Sequence, residues 1–362
     1  MPKVIFRPAP TPPPFVPPGP ANKFLTFTAK ENGCRVGYIY FSEDFAVEDA
    51  GLNIEYSLDN GQTWNPYNMS TTEGGAQMIS LNNGESVMFR GTNANLAYYL
   101  DSEGAYQFTK FVIEGQMAAS GDITSLLNGI GGDVSIPEYC FSHMFYECTS
   151  LTQAPALPAT TLANNCYVSM FSGCTSLMKA PALPATKLAN SCYEAMFYEC
   201  TSLTQAPSLP STTLFDECYA FMFYGCNSLT QAPTLPVTTL ANKCYSNMFQ
   251  GCTSLTQAPA LPATTLANNC YASMFYGCTS LTQAPALPAT TLANNCYTYM
   301  FRDCTSLNHV ECLATDISAT NSTNNWLLNV ASVGTFVKAT SMSSWPSGAN
   351  GIPDGWSVQD KS

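Results

Sequence analysis

The sequence predicts a mixed β plus α/β solenoid protein: an N-terminal antiparallel β-sandwich, then a seven-coil solenoid, then a C-terminal cap. Three observations lead there. Cysteines recur every 26 residues, at Cys140, Cys166, Cys192, Cys218, Cys244, Cys270 and Cys296. A second series follows eight residues later in each unit, from Cys148 to Cys304, and leucines (Leu151 to Leu307) and prolines (Pro155 and Pro158 to Pro285 and Pro288) keep the same phase. A fixed period of this size marks stacked units that bury one continuous core. Upstream, residues 21–118 alternate apolar and polar positions and are rich in β-branched and aromatic residues, as half-buried strands are.

Taken in chain order, residues 1–20 form an extended, proline-rich arm. Lys3, Arg7, Lys23 and Lys30 all precede the first acid, Glu31. A basic extended segment on an acidic protein reads as a tether, with Lys3, Ile5, Phe6, Arg7 and Phe15 as candidate anchor residues. A plain unstructured tail is the alternative. In the sandwich domain, 21–118 and jelly-roll-like, strands are expected at 23–29, 35–41, 53–57, 85–90 and 107–113. Asp59-Asn60-Gly61 and Asn82-Asn83-Gly84 are hairpin-turn signals. Residues 119–139 are expected to bridge into the first coil.

The repeats occupy 140–309. In one unit Cys270, Met274, Phe275 and Cys278 stand at i, i+4, i+5 and i+8, which predicts one face of a helix. Asn268 and Asn269 precede it as N-cap residues and Gly277 ends it. In the second half, Leu281 to Leu287, Pro285 and Pro288 forbid a helix and predict a short extended segment with a turn. The cap covers 310–362: a short helix at 321–330, a strand at 334–338, and a turn-rich end at 345–356. Trp326, Trp345 and Trp356 are expected to seal the last coil; an aromatic carbohydrate site is the alternative.

Composition excludes several function classes. Only 10% of residues are charged, and 13 basic residues against 25 acidic ones leave a net charge of −12. Nucleic-acid binding through phosphates is therefore not expected. Two histidines, His143 and His309, leave little for metal sites or catalytic triads. The cysteine spacing is not that of a zinc site. Stacked identical neighbours offer no unique disulfide pairing, so buried reduced thiols are expected, and lone Cys34 is read as core. Glu43, Asp44, Glu48 and Asp49 read as a solvated acidic loop or a weak cation site rather than a catalytic pair. No phosphate loop or nucleophile elbow occurs. No enzyme, cofactor or metal is expected, and no apolar run is long enough to insert in a membrane.

The repeat resembles the BspA-type leucine-rich repeats of Bacteroides-group surface proteins and their phages. The segments Phe275-Tyr-Gly-Cys-Thr-Ser-Leu281 and Phe249-Gln-Gly-Cys-Thr-Ser-Leu255 carry the resemblance. It covers residues 134 to about 315, and the unit is longer than usual around Asn-Asn-Cys-Tyr-x-x-Met. The resemblance implies a leucine-rich-repeat fold and an adhesion or display role.

In such a coil the non-apolar strand positions line one face. Here they are Thr152 and Gln153, Met178 and Lys179, Thr204 and Gln205, Thr230 and Gln231, Thr256 and Gln257, and Thr282 and Gln283. The Thr/Gln positions make an uncharged ladder suited to a glycan or peptide; a solvated face that merely stabilises the stack is the alternative. Tyr146, Tyr198, Tyr224 and Tyr276 predict an aromatic row or further packing. The expected role is a bacteriophage virion component, a fibre or decoration subunit assembled in the host cytoplasm. Its arm would meet other virion proteins and its repeats a host-surface glycan or protein; a homo-oligomer, a trimer as in many fibres, would suit. A surface adhesin of a gut bacterium is the alternative.

Overall fold

Alternating apolar positions build the N-terminal strands. The computed structural model describes residues 23–41, 49–99 and 106–361. The arm 1–20 with Lys3, Ile5, Phe6, Arg7 and Phe15 lies outside the described residues, as do Glu43, Asp44 and Glu48. One sheet joins β1 (Leu25–Ala29), β3 (Ile54–Ser57), β4 (Asn65–Pro66), β6 (Ser86–Gly91) and β9 (Met117–Ser120), in the order β9-β1-β6-β3-β4. The other joins β2 (Cys34–Phe41), β5 (Ile79–Leu81), β7 (Tyr98–Tyr99) and β8 (Tyr106–Glu114), in the order β5-β2-β8-β7. All these pairs are antiparallel. The sheets meet through Phe27 and Phe89 on one side and Phe111 on the other, with ring centroids 4.7 and 5.4 Å apart.

The expected turn at Asn60-Gly61 has both residues left-handed, φ 57° and 82°. The one expected at Asn82–Gly84 is no hairpin. β5 and β6 belong to different sheets, and the turn arches between them with the Gly84 N–H on Ala29 O at 3.0 Å. Local turn chemistry specified the bend but not which strands it joins.

The repeats depart from expectation in their first half, and with them the α/β description. Among the described residues the α-helix present is α1 (Ser125–Asn128), in the bridge. The Cys-x3-Met-Phe-x2-Cys segment is a ribbon of overlapping turns. In one coil the N–H groups of Asn269, Tyr271, Ser273, Phe275 and Gly277 donate to carbonyls of the next coil, at 2.8 to 3.2 Å. Those of Cys270, Ala272, Met274, Tyr276 and Cys278 donate three residues back. Every fourth residue is left-handed: Asn269 at φ 56°, Ser273 at 53° and Gly277 at 72°. A helix would keep all these bonds within itself and turn i+3 and i+7, here Ser273 and Gly277, toward the core. The inward positions follow a period of four instead: Cys270, Tyr271, Met274, Phe275 and Cys278 are all buried.

Identical residues then stack. Phe111 of β8 begins a column continued by Phe145, Phe171, Phe197, Phe223, Phe249, Phe275 and Phe301, with centroids 5.1 to 5.7 Å apart. A second column runs from Phe141 through Tyr167 to Tyr297. From Cys174 to Cys304, each cysteine of the second series donates its thiol to the carbonyl of the preceding coil's phenylalanine, as Cys226 does to Phe197 at 3.1 Å. All sixteen cysteines are buried and free.

The sandwich supplies the first rung. The Phe111 N–H donates to Met144 O, and Phe111 O accepts the Cys148 thiol. β10 (Leu151–Gln153), the strand of the first coil, pairs in parallel with β9. Far along the chain, the helix expected at 321–330 is another ribbon, with Asn321, Asn325 and Asn329 left-handed. Trp326 stacks on Tyr297 at 6.0 Å and on Trp345 at 5.7 Å. β11 (His309–Cys312), β12 (Thr335–Lys338) and β13 (Ser357–Asp360) form a parallel sheet. The protein is thus a repeat protein of strands and turn ribbons.

The ribbon and the helix predict opposite signs for one substitution. Ala195 holds a left-handed position, φ 51°. Ala195→Asn would cost a helix about 0.5 kcal/mol; in the ribbon it relieves left-handed strain of about 1 kcal/mol. Denaturant unfolding is expected to show the Asn variant as the more stable protein.

Candidate binding face

The coil halves after the ribbon run nearly extended because their prolines exclude helix. They touch the neighbouring coil at single rungs, such as Lys179 to Gln205 to Gln231, and Gln283 to His309. These rungs and the 26-residue phase of the stacked coils set Thr152, Gln153, Thr204, Gln205, Thr230, Gln231, Thr256, Gln257, Thr282 and Gln283 in two adjoining columns. All are exposed except the half-buried Thr152.

The two columns do different work. Thr204 donates both its backbone N–H and its hydroxyl to Met178 O, at 3.3 and 3.4 Å. Thr230 does the same to Thr204 O, and the Thr152 hydroxyl reaches Met117 O at 2.9 Å. These threonines tie coil to coil. The glutamine amides are the groups left facing solvent, one in each of five coils, with two donors and an acceptor each.

Open hollows lie between successive pairs. One of about 430 Å³ is lined by Thr230, Gln231, Thr256 and Gln257. The next, about 560 Å³, is lined by Thr256, Gln257, Thr282 and Gln283. Beside this polar track runs an apolar one. A notch of about 270 Å³ is walled by Pro233, Leu235, Pro236, Pro259 and Pro262. Another, about 410 Å³, is walled by Gln153, Pro155, Pro158, Pro181 and Pro184. Reading the sequence for polar groups missed this track; the in-phase prolines were its signal.

The other aromatic candidates are mostly internal. Trp326 is buried, and its indole N–H donates to Gly351 O at 2.9 Å. The Trp356 indole donates to Ala331 O at 2.7 Å. Tyr198 and Tyr224 stack at 4.5 Å, while Tyr146 stacks on Phe41 and Tyr276 lies under Arg302. The four tyrosines therefore make no continuous row.

The interior offers little chemistry. Burial pushes the Cys140, Cys148, Cys218, Cys296, Cys304 and Cys312 thiols up to about 12. At neutral pH these are thiols, and the nucleophile is the thiolate. Among the described residues no three His, Cys, Asp or Glu side chains gather where a metal could sit. Asp49 accepts the Tyr40 hydroxyl and the Gly51 N–H, which hold its carboxyl below the usual range.

One titratable group sits at the junction of sandwich and repeats. His143 packs on Phe108 at 4.7 Å. The buried Lys110 ammonium lies over Phe41 and pairs with Glu73 at 3.0 Å. Burial first, and the Lys110 charge second, push the His143 imidazole down to about 4.

A family model described as BspA type Leucine rich repeat region matches in six copies, over residues 134–256 and 223–330, together more than half of the chain. No curated protein and no solved structure matches.

The His143 shift sets a pH dependence. The unfolded chain takes up a proton near 6.5 while the folded one stays neutral down to about 4. The stability this residue contributes is present above 6.5 and lost as pH falls through 4, by about 2–3 kcal/mol. His143→Ser, which places there the residue found at Ser169 and Ser273, is expected to flatten the denaturant-midpoint profile across that window.

Proposed function

Because the chain belongs to the BspA-type leucine-rich repeat family, we propose that it is a non-enzymatic display protein that adheres to a host-surface glycan or peptide. The observation that carries this reading is the column of solvent-facing glutamines from Gln205 to Gln283. Gln205, Gln231 and Gln283 sit on bridged rungs, and the stacked rings beneath hold the coils in place, so binding orders few side chains. A row of like amides at coil spacing suits a ligand that itself repeats, as a glycan or an extended peptide does. The uncharged polar track and the proline-walled track beside it offer hydrogen bonds and apolar contact together.

The setting proposed is a bacteriophage particle. The chain would be a fibre or decoration subunit, held through residues 1–20 with Lys3, Ile5, Phe6, Arg7 and Phe15 against another virion protein. Seven coils over 140–309 would project the face, and 310–362 would close the far end. A pairing of sandwich and repeats through one continuous sheet, β9 on β10, suits a part that must transmit force without hinging.

Two measurements test this. Gln205→Glu, Gln231→Glu and Gln257→Glu together are expected to lower binding of labelled protein to host cells at least tenfold, with the melting temperature within a few degrees. Unchanged binding would remove the face from the proposal. Peptide mass spectrometry on separated culture fractions is expected to find the protein, with peptides of the proline-rich arm, in DNA-containing particles. Recovery in cell envelopes alone would make it a bacterial surface adhesin.

A further inference from the structure

The Thr/Gln columns are interrupted at one coil. Where five coils carry Thr-Gln, this one carries Met178-Lys179. The backbone ignores the change: Met178 O accepts the Thr204 bonds, and Lys179 keeps its rung with Gln205. Packing does not explain the side chains either. Met178 is 62% exposed, and Lys179 is exposed with no ion pair among the described residues.

The same coil borders the 410 Å³ notch. Pro181 and Pro184, two and five residues past Lys179, form one wall. Gln153, Pro155 and Pro158 of the preceding coil lie between these prolines and Ser120 and Gly121 at the end of β9, which complete the lining. The amide of Gln153 thus lies on the notch's lining, and the lone ammonium and exposed thioether stand two and three residues before Pro181 on the coil that borders it. An ammonium on a face that is otherwise neutral recognises an anion; proline rings and a methionine receive the apolar face of a ring or a small alkyl group.

We propose that Met178, Lys179, Gln153 and this notch form a subsite for a carboxylate-bearing sugar, a uronic or sialic acid unit of a glycan lying along the Thr/Gln face. The assignment rests on the binding reading above. Lys179 pairs with the carboxylate, Gln153 hydrogen-bonds ring hydroxyls, and Met178 with Pro158 and Pro181 packs the sugar's apolar side. An exposed ammonium–carboxylate contact is salt-sensitive, whereas the amide contacts along the rest of the face are not.

The test uses the full chain in titrations against oligogalacturonate and sialyllactose, their carboxyl-reduced neutral forms, and poly-glutamate. One or both acidic sugars are expected to bind at least tenfold tighter than their reduced forms, and which one does identifies the source. Lys179→Gln is expected to erase that difference and its salt dependence while leaving the neutral forms unchanged. Met178→Thr is expected to weaken all of these sugars at the notch. Equal binding of acidic and reduced sugars, or no effect of Lys179→Gln, would overturn the subsite. Stronger binding of poly-glutamate, lost in Lys179→Gln, would make it an acidic-peptide site and overturn the sugar assignment. Gln231→Glu with Gln257→Glu separates the two readings, because it tests the face and leaves the subsite intact. If the Lys179 effect persists in that double variant while host-cell binding does not change, the subsite stands and the face reading fails.

Discussion

Every second N–H of the turn ribbon is bonded to the next coil rather than to its own. A coil by itself would leave these donors unpaired beside a set of buried rings, and a buried unpaired donor costs about 1–3 kcal/mol. No coil is therefore a stable unit: each has its donors met by the coil after it and its carbonyls by the coil before, and the donors of Phe301 and Asp303 end on Trp326 O and Leu328 O. At the start of the stack β8 stands in for the missing earlier coil. Its Phe111 makes the N–H bond, accepts the thiol bond and presents the ring that each later coil repeats. The second contact, β9 on β10, fixes the extended half of the first coil at the same time.

The ribbon's geometry explains the side chains it uses. Residues forced left-handed every fourth position are often Asn, Ser or Gly, which tolerate that region. Pairs of consecutive inward residues leave room for a small one beside a large one, hence Cys with Tyr and Met with Phe. Cysteine at the ribbon's end does what neither alanine nor serine does as well. It packs as a small apolar group and also donates to a carbonyl, as Cys278 does to Phe249 O at 3.1 Å. The interior that results is dense, and its cysteines and rings are given over to packing.

On that outside, threonine and glutamine divide the work. The threonines whose hydroxyls reach back hold the coils in register, so part of the polar ladder is structural. The glutamines carry no such bond and face solvent. The single altered coil, Met178-Lys179, changes this surface without disturbing the stack, since Met178 O still accepts the Thr204 bonds and Lys179 still bridges Gln205.

The period of 26 residues and the rows of Cys, Leu and Pro were enough to establish stacked coils and to name most of their core. The long sandwich strands were legible too, because alternation over five or more residues belongs to strands alone. So was the polar face, since Thr and Gln recur beside a buried leucine. The ribbon was misread as helix because Cys270, Met274, Phe275 and Cys278 satisfy periods of 3.6 and 4 equally well over eight residues. Only bonds to the neighbouring coil choose between them, and those join residues 25 apart. The short strands β4, β5, β7 and β9, the arch at Asn82–Gly84, the ribbon at 321–330 and the proline-walled notch were decided in the same way. Each exists because a distant segment lies against it, and local sequence carries no record of that neighbour.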